Sequence, residues 1–222
     1  MRRIVRSSIL AVMLPLVVCC ASGCGIPNLL VYPFADRDAK KDVKEAYHLT
    51  SERLLILPYL GREVEFESPT AGTDISGALI RHIRDNLRGR VHRVVSPQQV
   101  AKYQQSRLDW QGTQVAEIGR EFQADKVLYL EIQRYSIMEE RSANLYRGRL
   151  SGHLQVIDTA PASRGKEVLY EADISVQVPD DKPIGATEIP EGTLRGATLY
   201  RFAQEVIWKF CDHEEPRMGG TP

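Results

Sequence analysis

Two rhythms of apolar and polar residues run along this chain, and the changes between them mark its elements. Residues 54–60 (LLILPYL) form a short, nearly continuous apolar run, the pattern of a strand buried on both faces. Pro58 cannot donate to a ladder, so the strand is expected to end or bulge there. Residues 61–72, rich in Gly, Pro and acid, read as a loop. Thr73 or Asp74 can then cap a helix on which Ile75, Ala78, Leu79, Ile83 and Leu87 recur at helical spacing. Gly89 stops it. Residues 91–95 (VHRVV) predict a second strand, and Ser96-Pro97 opens a helix running to Gln105, with Pro97 in its first turn. Residues 111–124 predict a third helix, with Val115, Ile118 and Phe122 on one side.

Period-two patterning follows. Residues 126–137 place Leu128, Leu130 and Ile132 on one face. Leu150, Leu154 and Val156 alternate with Arg149, Ser151, His153 and Gln155. Residues 168–178 alternate most regularly, with Glu171, Asp173, Ser175 and Gln177 between apolar neighbours, the mark of a sheet with one dry and one wet face. Pro161 and Gly165 suit a hairpin turn between the last two strands. After a loop with Pro179, Pro183 and Pro190, residues 193–211 carry a broad apolar stripe of Leu199, Phe202, Ala203, Val206, Ile207 and Phe210. The order β-α-β-α-α-β-β-β-α predicts a mixed α/β (α+β) single domain. Its four- to five-stranded sheet ends in an antiparallel meander, and helices pack mainly on one face.

The first residues follow neither rhythm. Arg2, Arg3 and Arg6 precede an apolar run over 9–18 that Pro15 interrupts, and Ala21-Ser22-Gly23 leads to Cys24. A basic start, a short apolar stretch and small residues at a cleavage site describe a secretory signal. The run is too short for a comfortable membrane span. Residues 21–24 resemble the lipobox of bacterial lipoproteins, with Ala21 where that motif usually has Leu. The resemblance implies cleavage after residue 23 and lipid on Cys24. More than one acyl chain makes such an anchor lasting, at about 0.8 kcal/mol per buried methylene. Gly25 rather than Asp after the cysteine implies an outer-membrane address facing the periplasm in a two-membrane host. The chain thus divides into a signal over 1–23, a lipidated tether over 24–50, a folded domain over 51–212 and a flexible tail over 213–222.

Charge and cysteine content sharpen this. The 222 residues carry 29 basic and 29 acidic side chains, and 43% are hydrophobic, which excludes a disordered or rod-like chain. Neutrality argues against holding nucleic acid by bulk charge. Three arginines leave with the signal, so the mature balance is 26 bases against 29 acids. Cys19 and Cys20 leave too, so a lipidated Cys24 leaves Cys211 without a disulfide partner, as a small buried hydrophobe.

Residues 52–178 resemble the periplasmic domain shared by the curli-secretion lipoprotein CsgG, the penicillin-binding-protein activator LpoB and the N-terminal domain of TolB. The likeness rests on LLILPYL, on VHRVVSPQQV as a strand-then-helix step, and on IGREFQADKVLYLEI as a helix, turn and strand. LSGHLQVIDTAPASRGKEVLYEADIS completes it as a closing hairpin. Gln123 stands where that turn most often has Gly. The resemblance implies scaffolding, activation of an envelope enzyme, or channel formation. The segment 136–148 (SIMEERSANLYRG) is too charged for a membrane hairpin.

No nucleophile elbow, phosphate loop, HExxH or paired CxxC appears. No catalytic residue, metal or cofactor is therefore assigned, and the chain reads as a non-enzyme. His82 and His92 read as surface residues, and residues 211–215 (CDHEE) as a solvated helix terminus. Asp158, Glu171 and Asp173 read as ordinary polar-face carboxylates. One cluster stands out: Arg81, Arg84, Arg88, Arg90 and Arg93, opposed only by Asp85. Arg81, Arg84 and Arg88 share a helix face. A solvated face is the plainer reading. The sharper one is a docking surface for an anionic partner: lipid headgroups, cell-wall polymer or the acidic face of an envelope protein. The rivals to a binding module are an oligomeric secretion component and an envelope hydrolase with a dispersed site.

Overall fold

The computed structural model describes residues 40–107, 109–161, 165 and 167–216. The signal, Cys24, most of the tether and the last six residues lie outside them. Among the described residues, Val43–His213 forms one compact body. A smaller unit, described at Lys40–Asp42 and Glu214–Pro216, contributes most of a two-stranded pair between β1 (Lys40–Val43) and β8 (His213–Pro216).

The body follows the order read from the sequence. Strand β2 (Ser51–Leu60) leads through α1 (Arg62–Glu67) and α2 (Ala71–Asn86) to β3 (Val91–Val94). Helix α3 (Pro97–Ser106), a 3-10 turn at Trp110–Gly112 and α4 (Val115–Glu121) then reach β4 (Lys126–Met138). Strands β5 (Leu145–Asp158), β6 (Val168–Val178) and β7 (Ile184–Gly185) precede α5 (Glu191–Trp208). Their sheet runs β3-β2-β4-β5-β6, with β7 on β5. Strand β2 lies parallel to β3 and β4, while β4, β5 and β6 form the antiparallel meander.

The apolar run in β2 splits between two cores because successive side chains alternate. Leu54 and Ile56 join Val64, Ile75, Leu79 and Ile83 of α1 and α2 and Phe202, Val206 and Ile207 of α5. Leu55 and Leu57 join Val100, Ala116 and Ile118 of α3 and α4. Helices thus lie mainly on one face, with two shorter ones on the other. The dry side of the meander (Leu150, Leu154, Ile174, Val176) faces the larger core.

Five local readings change. Strand β2 neither ends nor bulges at Pro58 but stays in register with β4 through Leu60. Residues 62–67 are helical rather than loop, although Val64 alone is buried there. Helix α2 starts at Ala71, so Thr73 and Asp74 lie inside its first turn, and Thr70 Oγ1 donates to Asp74. The folded body begins before Ser51: Leu49 is fully buried, and Ala46 and Tyr47 donate to the Lys209 carbonyl. Lys44 pairs with Asp212 at 2.7 Å. At the other end, His213–Pro216 is a strand rather than part of a frayed tail.

Candidate functional site

Helix α2 turns Ala71, Ile75, Ala78, Leu79 and Ile83 inward, so Arg81 and Arg84 point out. Arg88, just past the helix end, is also exposed and donates from Nε to the Arg84 carbonyl at 2.9 Å. Cations suit this position, since unsatisfied carbonyls leave a partial negative charge at a helix C-terminus. Arg93 is exposed on edge strand β3. Arg90 has a different task. Its side chain pairs with Glu45 at 2.8 Å and donates to the Leu49 carbonyl at 3.2 Å. His48 hydrogen-bonds the same carboxyl and, with Arg90 assisting, holds Glu45 below the usual carboxylate range. The structure therefore groups Arg81, Arg84 and Arg88 and assigns Arg90 to a clip between the chain before β2 and the turn before β3.

Some arginines are matched to acids, as Arg107 is to Glu121, Arg195 to Glu191 and Arg201 to Glu205, and others among the described residues, such as Arg62 and Arg141, are not. Among the described residues, Arg81, Arg84, Arg88 and Arg93 enter no ion pair. A solvated pair contributes little stability, so this matters for recognition rather than for folding.

His82 corrects the sequence reading. It is 9% exposed, and its ring lies 4.6 Å from that of Tyr200 on α5. The signal was present, since position 82 follows Ala78 by four and Leu79 by three, on the buried stripe. Burial lowers its pKa, with Asp85 opposing and Arg81 adding to the shift, so the ring is neutral at neutral pH. Nε2 is buried without a hydrogen-bond partner, which is uncommon and costly in a folded protein. The His82 side chain borders a pocket of about 330 Å³ lined also by Ala78, Arg81, Asp85, Asn86 and Tyr200. Tyr200 is itself 58% exposed. The pocket thus joins an aromatic wall and the first of the arginines without an ion pair. Tyr200 was missed because nothing local in the sequence connects it to residue 82.

His92, by contrast, is exposed and 3.7 Å from Glu52. On the uncovered face of the meander His153 bonds Asp173 at 2.7 Å and approaches Glu171 at 3.8 Å. Asp158 lies elsewhere, accepting from the Ala160 N–H. A crevice of about 260 Å³ at the C-terminal end of β2, where open α/β sheets often bind ligands, is lined by Pro58, Leu60, Trp110 and three glutamines. Glu65 is its one carboxylate. Cys211 is half-buried with a raised thiol pKa, owing first to burial. Among the described residues no group of three metal-capable side chains occurs, and no helix is long and apolar enough to cross a membrane.

No protein-family model matches this chain, and no curated protein does. Among solved structures, a PelC dodecamer from Paraburkholderia phytofirmans is similar at 11% identity and TM-score 0.44, over 78% of this chain and 96% of that one. A lipoprotein from Neisseria meningitidis is similar at 16% identity and TM-score 0.42, over 69% and 99%. A protein from Xanthomonas campestris is similar at 10% identity and TM-score 0.43, over 75% and 83%.

Proposed function

We propose that this chain is an exported lipoprotein, acylated at Cys24, whose α/β body is a non-catalytic binding or scaffolding module. It docks an anionic envelope partner through Arg81, Arg84 and Arg88. The observation that carries the docking reading is the grouping of Arg81, Arg84 and Arg88, which stand exposed at one helix end and, among the described residues, without ion pairs. Guanidinium groups recognise carboxylates and phosphates through a planar donor fork. A row of them on a rigid helix is pre-organised, which reduces the ordering cost of binding. The lipobox supports the anchor, and the resemblance to the CsgG, LpoB and TolB domain supports scaffolding or activation.

Two experiments test the two halves. Replacing Cys24 by Ala should release the protein from membranes and abolish palmitate labelling; a labelled, membrane-bound variant refutes the anchor. Arg84→Glu with Arg88→Glu should reduce partner recovery after crosslinking in intact cells. Undiminished recovery by a folded variant refutes the docking face.

A further inference from the structure

We propose that this chain binds a second copy of itself head to tail, seating the exposed Phe66 of one copy in the His82–Tyr200 pocket of the next. The knob is helix α1. Val64 faces the core, while Phe66 stands out with 89% of its surface exposed. Glu63, Glu65 and Glu67 flank it, all exposed and, among the described residues, without an ion pair. A lone exposed aromatic is unremarkable. One flanked by three unpaired acids, with Arg62 the one base on the same helical turn, is a docking element that lacks its partner.

The socket carries the complementary set. Its volume of about 330 Å³ accommodates a phenyl ring, and its walls offer the Tyr200 and His82 rings and the Arg81 stem. Aromatic pairs favour such offset or edge contacts. Arg81, with Arg84 and Arg88 beyond the rim, meets the three glutamates in charge-assisted contacts. Unpaired acids on α1 and unpaired arginines on α2 are thus two halves of one contact, displayed by every copy.

Knob and socket are different surfaces, so the contact is heterologous. Repeated copies close into a ring or extend as a chain. One aromatic anchor is a hot spot, not a whole interface. Lipid anchoring compensates by holding all copies in one plane and raising their effective concentration. The inference rests on the docking reading only in using the same arginine face. It names a second copy as one occupant of that face.

The test is crosslinking and subunit counting of the full lipoprotein reconstituted into lipid vesicles over a range of protein-to-lipid ratios. Wild type should assemble beyond a dimer. Phe66→Ala should weaken assembly at least tenfold, as should Arg81→Glu with Arg84→Glu, each with an unchanged melting temperature because these side chains are exposed. Mixing the Phe66→Ala and Arg81→Glu/Arg84→Glu chains should give heterodimers and nothing larger, since one sound knob meets one sound socket. Glu65→Arg with Glu67→Arg should restore binding to the charge-reversed socket. A monomeric wild type, or a Phe66→Ala chain that assembles as wild type does, overturns the proposal. Phe66→Ala leaves the arginines intact, so the two readings fail separately. Lost assembly with retained partner capture marks self-docking alone, and intact assembly without capture refutes only the anionic envelope partner.

Discussion

Replacing Gln123 by glycine should make this protein more stable, although no contact is gained. Helix α4 ends at Glu121 with Phe122 as its C-cap, and Gln123 follows in the left-handed region at φ 55°. Gln123 N–H reaches back to the Arg120 carbonyl at 2.9 Å and Ala124 N–H to the Gly119 carbonyl at 2.9 Å. That is the two-bond C-cap in which glycine usually holds the left-handed position. A side chain there costs roughly 1.5 kcal/mol. Glycine loses roughly 0.7 kcal/mol of that advantage through greater freedom in the unfolded chain. The balance is about 0.8 kcal/mol in favour of Gln123→Gly, a rise in Tm of about 2–3 °C for a body of this size. The Gln123 side chain is exposed, so packing does not confuse the comparison. Gly89 supplies the mirror image, at φ 77° with nothing within 4 Å of where a Cβ would stand. Gly89→Ala should cost about 0.8 kcal/mol by the same reasoning. Scanning calorimetry on both variants is the assay. If Gln123→Gly fails to raise Tm while Gly89→Ala lowers it, the cap geometry assigned to Gln123 is wrong.

Three further outcomes follow from packing and charge. Gly148→Ala would drive a Cβ to 2.9 Å from Thr198 Cβ on buried α5, so a loss of about 3 kcal/mol is expected in denaturant titrations. Thr198→Ala should return part of it, and strict additivity in that double-mutant cycle would contradict the close β5–α5 contact. Arg90→Ala should cost about 2 kcal/mol by unmaking bonds to Glu45 and Leu49, whereas Arg84→Ala should change stability by less than about 0.5 kcal/mol; equal effects would erase the division drawn between clip and docking face. The pKa of His82 is lowered in the fold, so below its ordinary value of about 6.5 the unfolded chain binds the extra proton first. Its neutral form therefore supports full stability above that pH, and stability declines as pH falls from there toward the folded pKa. His82→Leu should flatten this part of the Tm-against-pH curve, and an unchanged slope would assign it to other groups.

What the sequence disclosed tracks how local each signal is. LLILPYL was readable as a doubly buried strand because Leu54 with Ile56 and Leu55 with Leu57 each serve a core of their own. The meander was readable because Ala172, Ile174 and Val176 alternate with exposed acids and Ser175. Helix α1 was not, since six residues with one buried side chain make no stripe. Strands β1 and β8 are held by a mate some 170 positions away rather than by any pattern of their own. At the candidate site the spacing of Arg81, Arg84 and Arg88 announced a shared face, but the diversion of Arg90 to Glu45 spans 45 positions. The pairing of His82 with Tyr200 joins two helices. Tertiary partners decide both, and periodicity carries no information about them.

The pairing of β1 with β8 brings the start and finish of the described chain side by side. The stretch from Cys24 to Lys40 can extend at most ~55 Å, so with the anchor proposed at Cys24 strand β8, paired with β1, is leashed to the bilayer by about the same length. A fluorescent protein or affinity tag fused at the carboxyl end would start from the strand that neighbours the anchoring tether. A label inserted in the β4–β5 turn, remote in sequence from both ends, would avoid that joint.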